Sequence, residues 1–186
     1  MKKVLAMVMA VWLTVCLGTT AFASSKTSQG NIHAQLVNQK TMTPASLPEG
    51  VTPIEFSTQE EADAFIAEVL ENLNTPITPT QSRISTGTWT VDTTKVALWC
   101  YVDLKMKATT TGDHYTGTVR SAKAFTVFRG FTLGFEWNER ACNAEIHGKD
   151  VYSWCDGTLD CYLLIKGTIK LYSFEINMDG WSFVVR

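Results

Sequence analysis

The sequence predicts an all-β domain preceded by one amphipathic α-helix. The domain is an antiparallel sandwich or an up-and-down barrel of roughly seven to nine strands. Three observations carry that prediction. Apolar residues recur with period two, not 3.6, from residue 84 to residue 186. Turn residues punctuate that region at meander spacing. Ahead of it, a single segment carries a helical stripe.

The chain opens MKKVLAMVMAVWLTVCLGTTAFASS. Lys2 and Lys3 precede an uncharged apolar run, and Ala21-Phe22-Ala23 follows as a cleavage signal, so residues 1–23 read as a secretory signal peptide. The run is shorter than the about 20 apolar residues a membrane span needs. Val15 before Cys16 departs from the small residue a lipidation site wants. Cleavage after Ala23 predicts an extracellular protein with no membrane span in the mature chain. It removes two lysines and no acid, which takes net charge from −2 to −4. That balance offers no electrostatic footprint for nucleic acid.

All five prolines lie between Pro44 and Pro79. Residues 24–54 are rich in Ser, Thr, Gln and Asn with few large apolar side chains, and this predicts a flexible tether. Residues 55–75 follow as the helix. Ser57 and Glu60 have capping-box spacing, and Ala62, Phe65, Ile66, Val69, Leu70 and Leu73 make one apolar stripe. Glu60, Glu61, Asp63, Glu68 and Glu71 line the polar face, where acids in the first turn suit the helix dipole. Asn74, Pro76 and Pro79 end the helix, and residues 84–186 form the β-domain.

In KVALWCYVDLKMK, Val96, Leu98, Cys100, Val102, Leu104 and Met106 share one parity, which predicts a single half-buried strand. A turn near Gly112-Asp113 leads to the return strand TGTVRSAKAFTVF. Further turns are expected at Asn138–Arg140 and Met178–Gly180. Leu159, Cys161, Leu163, Ile165, Ile169 and Leu171 share a parity as well.

Four cysteines remain in the mature chain, and an even number in an exported protein reads as two disulfides. With Gly148-Lys149 as a hairpin loop, His147 faces Asp150 and Cys142 falls opposite Cys155 at a non-hydrogen-bonded position, where side chains come closest. Cys142–Cys155 is therefore expected to staple the hairpin, with Cys100–Cys161 as the second bond. Cys155–Cys161 is the alternative if the register slips. A zinc site using both hairpin cysteines and His147 would need ligands from opposite faces of the ribbon, so no metal or other cofactor is expected.

No nucleophile-elbow, metalloprotease or phosphate-loop pattern occurs, and His114 and His147 sit at predicted turns. No catalytic residue is assigned. Glu136 and Glu139 flank Trp137 and supply a hydrolase alternative that needs both carboxylates at one sugar cleft. The aromatics point elsewhere. Trp99 and Tyr101 lie opposite the apolar set of their strand, and Tyr152 and Trp154 lie outward on the cysteine hairpin. Rings on a flat β-face stack on glycans or anchor interfaces, unless the helix covers them.

The segments STGTWTV and YTGTVRSA resemble the first strands of avidin-like and lipocalin-like barrels. The resemblance covers the opening part of the β-domain and implies barrel-type strands. Val91-Asp92-Thr93-Thr94 stands where an avidin-like site has its polar cluster, so no ligand residue transfers. The expectation is a secreted, non-enzymatic binding protein at or outside the cell envelope. Its partner would be a polysaccharide or peptidoglycan through Trp99, Tyr101, Tyr152 and Trp154, or a secreted or surface protein.

Overall fold

A computed structural model describes residues 30–75, 87–99, 102–113, 116–130 and 133–183. The expected signal peptide, the expected linker from Pro76, Cys100, Tyr101, His114 and the side chain of Trp99 lie outside the described residues. The rest is eight strands in two sheets with a single helix: β1 Gly30–Met42, β2 Ile54–Phe56, α1 Gln59–Leu73, β3 Gly87–Trp99, β4 Val102–Asp113, β5 Thr118–Arg129, β6 Phe135–His147, β7 Asp150–Ile165 and β8 Thr168–Phe183.

The larger sheet runs β1-β8-β7-β2, and β6 pairs with β7 as well; the smaller runs β3-β4-β5. The sheets stack as an open sandwich with no barrel closure, which settles the choice between sandwich and barrel. Every ladder is antiparallel except β2 on β7.

The inner faces close on one core. The smaller sheet contributes Val96, Leu98, Val102, Leu104 and Met106, and the larger contributes Leu159, Leu163, Phe174, Ile176 and Met178. Helix α1 adds its stripe of Ala62, Phe65, Ile66, Val69 and Leu73 to the same core. The Phe65 ring lies 5.2 Å from that of Phe56 and 6.2 Å from that of Phe135. Burial of such a stripe holds the helix in place, because apolar area removed from water contributes about 25 cal/mol per Å². At one end of the sandwich the backbones nearly touch. A Cβ on Gly30 would sit 2.5 Å from the Thr93 carbonyl oxygen, and one on Gly180 would sit 3.0 Å from it. Only glycine on β1 and β8 admits β3 this closely.

Several expectations need correction. Residues 30–42, expected within the tether, form β1, which pairs with β8 from Gly30↔Gly180 to Met42↔Ile169. The strand expected across residues 95–107 is two antiparallel strands with two residues between them. Its uninterrupted parity arises from a bulge: Ala97 pairs with Asp103 and Trp99 with Val102, which leaves Leu98 as the extra residue. That extra residue restores the parity a reversal would have flipped, so Leu98 and Leu104 both reach the core. The capping box is Thr58 with Glu61, one residue later than expected. The Glu61 carboxylate accepts from the amides of Ser57 and Thr58 at 3.0 and 3.2 Å. At Asn138–Arg140 there is no turn but a bulge inside β6 at Arg140. Met178–Gly180 lies within β8. Ile169 and Leu171 face away from Leu163 and Ile165, because the turn at Lys166-Gly167 pairs Ile165 with Thr168.

Candidate functional site

The Cys142–Cys155 disulfide forms as expected, with Cα atoms 4.1 Å apart. It fixes the register of β6 on β7, and that matters because a one-residue slip would exchange the two faces of β6. Cys161 instead carries a free thiol, so the expected Cys100–Cys161 bond is corrected. Cys161 is wholly buried among core side chains, between Phe135 on β6 and Tyr172 on β8, and burial pushes its thiol well above the usual range. The Cys155–Cys161 alternative fails on geometry. Both lie on β7 six positions apart, about 20 Å along a strand.

Alternation along β7 sends Cys155, Leu159 and Cys161 inward and Tyr152, Trp154, Asp156 and Asp160 to the outer face of the larger sheet. Helix α1 packs on the opposite, inner face. There Tyr172 accepts a hydrogen bond from Gln59 at 3.2 Å and donates one to Asp63 at 3.3 Å. The helix therefore does not cover Tyr152 and Trp154, both of which are half-buried.

The outer face is ordered by register. Tyr152 lies between Glu145 on β6 and Trp181 on β8, and Trp154 lies between Asn143 and Asp179. The Trp181 ring is 5.0 Å from Tyr152 and 5.4 Å from His147, tilted in both pairs. Asp179 accepts from Asn31 at 3.0 Å. The guanidinium of Arg140 reaches Asp156 at 3.0 Å and Glu175 at 2.8 Å, and Gln35 donates to Glu175 at 3.4 Å. Burial raises the Tyr152 phenol above its ordinary value, and the charges of Asp179 and Glu145 raise it further.

Across these four strands the register places seven carboxylates outward: Glu136, Glu145, Asp150, Asp156, Asp160, Glu175 and Asp179. Against them stand only Lys40 and Arg140. The outer face of the smaller sheet has the reverse balance. There Lys95, Lys105, Lys107, Lys123 and Arg129 outnumber Asp92, Asp103 and Asp113, and Asp103 bridges Lys95 and Lys105 at 3.5 and 3.2 Å.

Of the expected binding residues, Tyr152 and Trp154 come together on one face, while Tyr101 and the Trp99 side chain lie outside the described residues. Trp181 and His147 complete the cluster. The expected turn at Met178–Gly180 hid Trp181; with β8 unbroken through Gly180, register alone places its ring beside Tyr152. Glu136 and Glu139 leave β6 on opposite faces, opposite Asp160 and Gly157. Glu136 accepts from the Tyr162 hydroxyl at 3.1 Å, and Glu139 accepts from the Thr126 amide at 2.9 Å. The two glutamates do not flank one cleft. No group of three or more metal-ligating side chains occurs among the described residues. No described helix is long and apolar enough to cross a membrane.

Comparison with protein-family models, with curated proteins and with solved structures finds no match to this chain.

Proposed function

We propose that this is a secreted, non-enzymatic binding protein that takes a glycan on the outer face of its larger sheet, at or beyond the cell envelope. One observation carries the reading. Tyr152, Trp154 and Trp181 occupy adjoining positions on the sheet face turned away from the helix, with Asn143, Glu145, Asn31 and Asp179 beside them. Rings present flat apolar surface to a sugar, and the amides and carboxylates bordering them suit its hydroxyls. The disulfide on the reverse of the hairpin holds the rows in register.

The test is co-sedimentation of the oxidised protein with insoluble polysaccharides and peptidoglycan. Trp154→Ala should weaken retention by more than about 1 kcal/mol, as truncation of an anchor residue does. An unchanged affinity would remove Trp154 from the site.

The excess of carboxylates on the same face favours a second reading, a basic protein as partner. Its mark is a salt-sensitive complex with such a protein and no retention on any glycan.

A further inference from the structure

We infer that the ligand of this face is a cationic glycan, one whose hexosamine units carry free, protonated amines. The inference rests on the glycan-binding reading and names the substrate class for it.

The whole chain is only −2, yet seven carboxylates against Lys40 and Arg140 share the outer face of the larger sheet. The opposite face of the sandwich is basic. The asymmetry creates a field that favours cations at the aromatic rows and repels an anionic polymer. A neutral glycan would gain nothing from it.

The local arrangement agrees. Glu145 stands directly opposite Tyr152, and Asp179 directly opposite Trp154. No described cation forms an ion pair with Asp179, and the only described group within ion-pair distance of Glu145 is His147, at 3.5 Å. An ammonium group at this place meets ring faces and carboxylates together, and both attract it.

The shape of the face separates a cationic glycan from a cationic peptide. Peptides dock by adding a strand to a sheet edge or by laying a helix in a groove. The rings here lie on β7 and β8, which are interior strands of the sheet, and they offer a face, not an edge. A stiff chain of pyranose rings suits aromatics set on adjoining strands of a sheet face.

The experiment titrates the oxidised full chain with two oligomers of equal length, β-1,4-linked glucosamine and its fully N-acetylated counterpart, at a pH that keeps the amines protonated. The amino oligomer should bind at least about tenfold tighter. The preference should vanish in roughly 0.5 M salt, where screening acts within a few ångströms. The double variant Glu145→Gln with Asp179→Asn should also lose it, while Trp154→Ala weakens both oligomers. Glu145→Gln alone, at an exposed position, serves if the double variant fails to fold. Equal affinity for the two oligomers, or tighter binding of the acetylated one, overturns the inference and leaves the glycan reading standing. Binding of neither oligomer overturns the inference, and loss of retention on every polysaccharide in the co-sedimentation test overturns the glycan reading as well. Poly-lysine binding as tightly as the amino oligomer and indifferent to Trp154→Ala overturns the inference in favour of a basic protein.

Discussion

The side-chain amide of Asn74 hydrogen-bonds both main-chain groups of Ala34: its oxygen accepts from the Ala34 amide at 3.0 Å, and its nitrogen donates to the Ala34 carbonyl at 3.2 Å. Asn74 is the C-cap residue of α1, and Ala34 lies on β1, an edge strand. One side chain therefore does there what a neighbouring strand would do, and it satisfies an exposed sheet edge. The same nitrogen also donates to the Leu70 carbonyl at 2.9 Å, which closes the helix end. Two residues earlier, Asn72 donates to the carbonyl of the bulged Leu98 at 3.0 Å. The end of the helix is thereby tied to both sheets. Asn74→Ala breaks three hydrogen bonds and should cost about 1–3 kcal/mol. Urea denaturation should show a lower midpoint with an unchanged slope.

Replacing Cys142 and Cys155 together with serine should lower stability by about 2–4 kcal/mol, the usual value for loops of this size. The proposed glycan binding should fall more than the added unfolded fraction explains, because the register of Glu145 against Tyr152 is no longer stapled. Cys161, by contrast, should resist iodoacetamide in the folded protein and react only on unfolding, since burial keeps its thiol protonated. Mass mapping of labelled peptides checks this, and rapid labelling of native Cys161 would contradict the burial.

The Thr110 hydroxyl is buried and has no hydrogen-bond partner among the described residues. It lies between Trp89 and Ala122 on the neighbouring strands. Thr110→Val keeps the branched shape and removes an unsatisfied polar atom, so it should raise stability by about 1 kcal/mol. A lower melting temperature would count against this reading of the site.

The Arg140 hydrogen bond, with a further one from Gln35, holds the Glu175 carboxyl below the usual carboxylate range. A depressed carboxyl stabilises the fold at pH above its unfolded value, about 4.3, and that contribution is lost as pH falls through the folded value. Glu175→Gln should therefore flatten the stability profile on the acid side of about pH 4 and leave it unchanged in shape near neutrality. The site is solvent-exposed, so the effect should shrink as salt is added.

The helix and the cysteine hairpin were legible because each announces itself locally. A stripe at 3.6 spacing has few alternatives, and the loop Gly148-Lys149 sets every pair back to Cys142 and Cys155. Strand β1 was illegible for the opposite reason. Of its thirteen residues only Ala34 is buried, so GNIHAQLVNQKTM has the composition of a tether. What orders it is main-chain pairing to β8, which composition does not record. The β3–β4 reversal was hidden by the bulge at Leu98, since two departures from regular alternation cancelled. Of the candidate site, Tyr152 and Trp154 could be placed from the hairpin alone. Trp181 needed the register of a third strand, and the separation of acidic from basic faces needed the order of both sheets.

Strand β8 has a consequence for how the chain reaches its final state. It follows the other seven strands in sequence, yet it lies between β1 and β7. Gly30 and Gly180 are 150 positions apart and share one ladder. Until β8 arrives, β1 has no strand to pair with and β7 presents an open edge. Assembly of the large sheet therefore waits on one of the longest-range pairings in the molecule, and such topologies fold slowly. A chain stalled before that step exposes two edges able to pair with other chains.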